Sequence, residues 1–220
     1  MSRLSSHVLL LLTALSGIVS SACQSGGVGD PCIPEDEYNK NFSGYQVTEV
    51  NVESRSFQCE TRVCLVANFQ GRVSCPFGQP GLATVDPTKG PMADPNIAAD
   101  DKCYLPGTKE DGTNAVTVPV TPQLIDRSPD SAVYCSCRCA GDDSNASYCS
   151  CPSGYLCQPL VNAFVSGGGA HLVGSYCIKD GTQVNNPTTE ENNPTCSLTN
   201  AATMQARPAG CGTEKHPDGI

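Results

Sequence analysis

The sequence predicts a small, mainly β, disulfide-rich domain with long irregular loops and little helix apart from an N-terminal leader. Three observations carry that expectation. Fifteen cysteines stand in 220 residues, a density that belongs to an oxidising compartment. Aromatic residues make up only 5% and Trp is absent, so the chain cannot fill a large core. Disulfides offset that shortfall by restricting the unfolded ensemble, each by roughly 2–4 kcal/mol. The remaining apolar residues fall in short alternating runs between Pro- and Gly-rich stretches, which is strand patterning interrupted by breakers.

Taken in order, the chain opens with a cationic Met1-Ser2-Arg3 and an apolar run from Val8 to Val19. That run is too short to span a bilayer core, which takes ~20 residues of helix, and it fits the apolar region of a signal peptide over 1–22. Residues 23–30 include a Gly-rich stretch and predict a flexible tether, with the ordered domain starting at Pro31-Cys32 and running over 31–180. Residues 45–54 predict a strand. Tyr45 and Val47 share one parity while Val50 and Val52 take the other, so a β-bulge near Thr48-Glu49 is expected to restore a single face. Residues 62–69 predict a second strand. Residues 76–102 carry Pro76, Pro80, Pro87, Pro91 and Pro95, and predict a long breaker-rich loop available for binding.

Residues 114–121 return to strand pattern with Val116, Val118 and Val120 on one face, and Pro119 suits an edge. Over 133–157 the alternation Val133, Cys135, Cys137, Cys139, a turn at Gly141-Asp142-Asp143, and the return Cys149, Cys151 predict a cysteine-lined hairpin. Leu160 and Phe164 would share one side of a short helical turn, and residues 175–178 a last strand. The stretch 181–220 is polar, with Cys196 and Cys211 as its staples.

Ser20-Ser21-Ala22-Cys23 resembles the lipobox of bacterial lipoproteins, with Ser20 where that family usually has Leu. The resemblance covers the first 23 residues. It implies a lipid (palmitate-bearing) anchor on Cys23 and, through Gln24 at the next position, the outer membrane or the cell surface. Setting Cys23 aside leaves 14 cysteines, enough for seven bridges. The alternative is a secreted protein, because Ser20 and Ala22 also suit an ordinary signal peptidase.

Processing at Cys23 removes 22 residues and Arg3, leaving 198 residues with 12 basic against 22 acidic side chains, a net charge of −10. That balance argues against nucleic acid or anionic membrane surfaces as electrostatic partners, since both repel an acidic chain, and membrane attachment is expected to come from the acyl chains.

Six cysteines from Cys135 to Cys157 could instead hold a soft metal as thiolates. The exported context favours disulfides, and an i, i+2 pair on one strand is poorly placed to bond to itself. The run Cys149-Ser150-Cys151-Pro152-Ser153-Gly154-Tyr155-Leu156-Cys157 resembles the last lobe of an EGF-like module. That resemblance, over nine residues, implies a bridge from Cys151 to Cys157.

Catalytic candidates are few. Without the leader only His171 and His216 remain, and neither stands in a zinc or nucleophile-elbow motif. Gly169 and Gly174 have phosphate-loop spacing, but Ser175 occupies the place of the Lys. Asp142-Asp143-Ser144-Asn145 and Asp100-Asp101 offer oxygen ligands without EF-hand spacing. Asn41 and Asn145 head sequons that are idle in a bacterium. No cofactor is expected. The expectation is a non-catalytic lipoprotein with a structural or adhesive role and an unidentified envelope partner. The alternatives are a metal-thiolate lipoprotein, or a secreted enzyme with an unfamiliar carboxylate site.

Overall fold

The computed structural model describes residues 26–79, 102–109, 113–161, 172–196 and 211. Two three-stranded antiparallel sheets make up its regular structure. In the first, β1 (Val50–Glu53) pairs with β2 (Val63–Ala67), and β2 pairs with β3 (Val133–Ser136). In the second, β4 (Arg138–Ala140) and β5 (Tyr155–Val161) flank β6 (Gly174–Lys179). Among the described residues, helix is limited to a 3₁₀ turn at Glu35–Tyr38 and to α1 (Pro129–Ala132) and α2 (Pro187–Glu190). Among the described residues no helix is long and apolar enough to cross a membrane.

The sequence explains why β2 is central. Val63-Cys64-Leu65-Val66-Ala67 is apolar at every position, as a strand covered on both faces must be. Cys64 and Val66 point into one cluster with Cys32, Tyr45, Phe69, Val73, Val133 and Cys135. Leu65 and Ala67 point into the other, where Tyr134, Tyr176 and Ile178 meet them from β3 and β6. That second cluster joins the two sheets. Tyr134 and Tyr155 pack edge to face with centroids 5.7 Å apart, and the Lys179 N–H donates to the Tyr134 hydroxyl at 2.9 Å.

The single hairpin expected over 133–157 does not form. One residue, Cys137, separates β3 from β4, and the chain passes there from one sheet to the other. Cys149 and Cys151 lie outside any strand, and β6 takes the place beside β4 that the return segment was expected to fill. The reason is partner choice: β6 supplies the ladder along β4 and the Cys177 N–H donates to Cys137 C=O at 3.1 Å, while the return segment keeps a single bond to β4, Cys149 N–H to Arg138 C=O at 3.1 Å.

Other elements follow the alternation more closely. The 45–54 segment keeps Tyr45 and Val47 on one side and Val50 and Val52 on the other, but a turn closed by Glu49 N–H to Gln46 C=O replaces the bulge. Each half then buries its own face, so no bulge is needed. Val116 and Val120 are buried as expected, held by isolated bridges at Ala115 and Val120. Leu160 belongs to β5, not to a helical turn, and Phe164 lies outside the described residues.

The expected tether is partly built into the domain. Gly26 pairs with Cys59, its N–H donating to Gln58 C=O at 2.7 Å and its C=O accepting from the Glu60 N–H at 2.8 Å. Gly29 donates to Cys135 C=O at 2.8 Å. Gly29 sits at φ +100°, and a Cβ there would stand 2.1 Å from the Tyr155 hydroxyl oxygen. At this position glycine serves close approach, not flexibility.

Candidate functional site

Three bridges converge on β6: Cys137–Cys149, Cys139–Cys157 and Cys151–Cys177. Cys177 is fully buried, and its Sγ lies 3.5 Å from Cys137 Sγ and 3.8 Å from Cys149 Sγ. Two sulfur trios share it, one with Cys137 and Cys149 and one with Cys139 and Cys151. The geometry is that of a compact ligand set. All six sulfurs are nevertheless spent in disulfides, and a disulfide sulfur has no thiolate charge to offer a cation.

The bridge implied between Cys151 and Cys157 is not made. A turn closed by Tyr155 N–H to Pro152 C=O delivers the chain straight into β5, which carries Cys157 toward Cys139 and leaves Cys151 beside β6. Cys196 is joined to Cys211. The other bridges are Cys32–Cys64, Cys59–Cys135 and Cys75–Cys103.

The base of the proline-rich loop is clamped from both sides. Cys75–Cys103 closes it, and Gln79 exchanges two backbone hydrogen bonds with Val120 at 3.0 Å each. The Gln79 side chain donates to Val116 C=O at 3.0 Å and Val118 C=O at 2.7 Å, and accepts from the Cys103 N–H at 2.9 Å. One buried side chain thus ties both ends of the loop to the segment beneath it. Residues 80–101, Asp100 and Asp101 among them, lie outside the described residues, as do Cys23, His171 and His216.

The remaining oxygen-rich candidates have local roles. Asp143 accepts the Asn145 N–H at 2.9 Å through its side chain and the Tyr148 hydroxyl at 2.8 Å through its carbonyl. Asp142, Asp143, Ser144 and Asn145 form an exposed turn of ordinary Asx geometry. Asn41 accepts the Thr117 hydroxyl at 2.9 Å.

The most heavily buried charges among the described residues belong to no motif in the sequence. Glu37 and Arg72 are both fully buried, with Arg72 Nε 3.3 Å from Glu37 Oε2 in an ion pair that lacks hydrogen-bond geometry. Arg72 donates to Phe42 C=O at 2.8 Å, Asn39 C=O at 3.2 Å and Glu37 C=O. The Glu37 carboxylate accepts from Val73 N–H at 2.7 Å and from the Ser74 hydroxyl at 2.7 Å. Burial pushes the Glu37 carboxyl above its ordinary range, against the pull of Arg72 and these donors. Burial likewise lowers Arg72, against Glu37. Every contact of the pair faces backbone or core, so its work is to fix the 3₁₀ turn onto the chain at 72–74.

A polar groove of ≈430 Å³ runs between α1 and α2, lined by Asp126, Arg127, Ser131, Thr182 and Glu190 among others. Its guanidinium is already committed: Arg127 donates to Ala67 C=O at 2.6 Å, Thr182 C=O at 3.2 Å and Asn68 C=O. Comparison with protein-family models, curated proteins and solved structures returned no match.

Proposed function

We propose that this chain is a non-catalytic exported lipoprotein, held to the cell envelope through Cys23 and carrying a structural or binding role there. The observation that supports the reading is the cysteine balance. Seven bridges join 14 cysteines among themselves, and the fifteenth in the sequence is Cys23. No thiol is left over to pair with it inside the chain. An acyl chain on that sulfur would complete the account, and the lipobox-like residues before it supply the processing signal.

The binding role rests on the clamp below 80–101. A buried Gln and a disulfide at the foot of a long proline-rich segment fit a scaffold that presents that segment to a partner.

Intact mass of the detergent-extracted protein, before and after reduction, tests this. The expected mass begins at Cys23, carries acyl chains and gains 14 hydrogens on reduction, two for each of the seven bridges. A mass beginning at Cys23 without acyl groups would replace the lipoprotein with a secreted protein.

A further inference from the structure

Resting on the lipid anchor just proposed, we infer that the turn bearing Phe57 and Arg62 is the face of the domain that lies against the phospholipid bilayer. Gly26 is fixed to Gln58 and Glu60 by two backbone hydrogen bonds, and Cys59 beside them is bonded to Cys135. Three residue steps separate Gly26 from Cys23, and fully extended they span at most about 11 Å. A lipid on Cys23 therefore keeps the backbone of residues 58–60 within about 11 Å plus one hydrogen-bond length of the anchored residue, nearer the bilayer than a freely tethered domain would be.

The side chains there suit that place. Phe57 is 83% exposed, against 49% for Tyr38 and 45% for Leu156, the other large apolar side chains in the open. The Arg62 guanidinium carbon lies 4.8 Å from the centre of the Phe57 ring. An aromatic ring with an arginine stem beside it matches the headgroup region, where rings settle and long cations reach back to phosphate.

Backbone conformation gives a second, independent pointer. Arg62 holds φ 64°, a left-handed conformation more natural to Gly or Asn. Its N–H bonds to Cys59 C=O at 3.0 Å and its C=O accepts the Ser56 N–H at 3.1 Å, so the turn is fixed. A strained position that carries a long cation marks a side chain in use. Within residues 55–62 the exposed charged side chains are Arg55, Glu60 and Arg62. That segment therefore carries one positive charge in excess on a chain of net charge −9, which favours it over the rest of the surface for contact with phosphate headgroups.

The absence of native Trp makes the test direct. Phe57→Trp, Tyr38→Trp and Asn145→Trp are made singly in the full chain, and the acylated proteins are reconstituted into phosphatidylethanolamine/phosphatidylglycerol vesicles with or without brominated acyl chains. The expected result is a blue-shifted emission at position 57 and stronger bromine quenching there than at 38 or 145. Loss of both on Arg62→Gly in the Phe57→Trp background would further support the pairing. An acylated protein whose Trp at 57 emits as in water, or is quenched no more than the other two, overturns the membrane face alone. A chain without acyl mass overturns the anchor and this inference together.

Discussion

Arg72→Met should cost this domain about 3–5 kcal/mol, the usual penalty for removing one partner of a buried charge pair. The structure gives a way to work the figure. The substitution removes the 3.3 Å ion pair and the donors to three carbonyls while Glu37 stays fully buried. A carboxyl so placed takes a proton rather than keep its charge. Holding neutral at pH 7 a group whose ordinary value is 4.5 costs about 3.4 kcal/mol at 1.36 kcal/mol per unit. The pH dependence carries the sign. Burial already raises the Glu37 carboxyl in the folded protein, so the folded state binds the extra proton and stability is lost as pH rises above the ordinary carboxylate value. Without Arg72 the raised range extends further, and the variant should lose up to about 1.4 kcal/mol per pH unit across it. Guanidinium unfolding at pH 5, 6, 7 and 8 with the bridges intact measures both effects, and Glu37→Gln in the same background should flatten the slope. A loss below about 1 kcal/mol, or one that is equal at pH 5 and pH 8, would refute the reasoning.

Two further predictions concern the covalent frame and its turns. Cys59–Cys135 spans 76 residues and Cys137–Cys149 spans 12, so loop-closure entropy assigns them about 4.5 and about 2.8 kcal/mol. Paired Cys→Ala variants compared by denaturant midpoint should keep that order, and the reverse order would show that local strain outweighs chain entropy. Gly71→Ala should destabilise by at least about 3 kcal/mol, because a Cβ at φ +86° would stand 2.4 Å from Thr121 C=O and backbone must move as well as strain. Gly107→Ala, at φ +66° with open space around it, should cost only about 1 kcal/mol; equal losses at the two sites would contradict the geometry.

How much of this was legible in the sequence depended on the range of the interaction. Val63 to Ala67 announced β2 through an unbroken apolar run, and Val116 with Val120 announced a buried face, because alternation is local. The Gly-rich stretch before Pro31 was misleading for an equally local reason. Glycine is written the same way whether it supplies flexibility or lets a strand approach Tyr155, and only the fold distinguishes the two. Long-range choices were hidden. Nothing near Cys151 says that Cys177, 26 residues on, will be its partner, and a local resemblance pointed to Cys157 instead. Glu37 and Arg72 carry no local signal in the sequence, since a buried pair leaves no periodic trace.

These limits have one physical source, and it bears on the proposed role. A chain with this few aromatics cannot organise itself around a single core, so partner choice passes to sulfur, to the buried Glu37–Arg72 pair and to buried glutamines that tie loops to carbonyls. Gln79 and Gln123 illustrate the last device: both are buried, and Gln123 donates to Arg72 C=O at 2.8 Å. Such a frame holds its backbone by bonds that do not loosen when a surface residue changes. It also fixes the backbone of the Phe57 turn, so that the side chains of Phe57 and Arg62 are presented outward from a set position. For the envelope role proposed above, such a framework would endure while the contact surfaces alone would have to be particular.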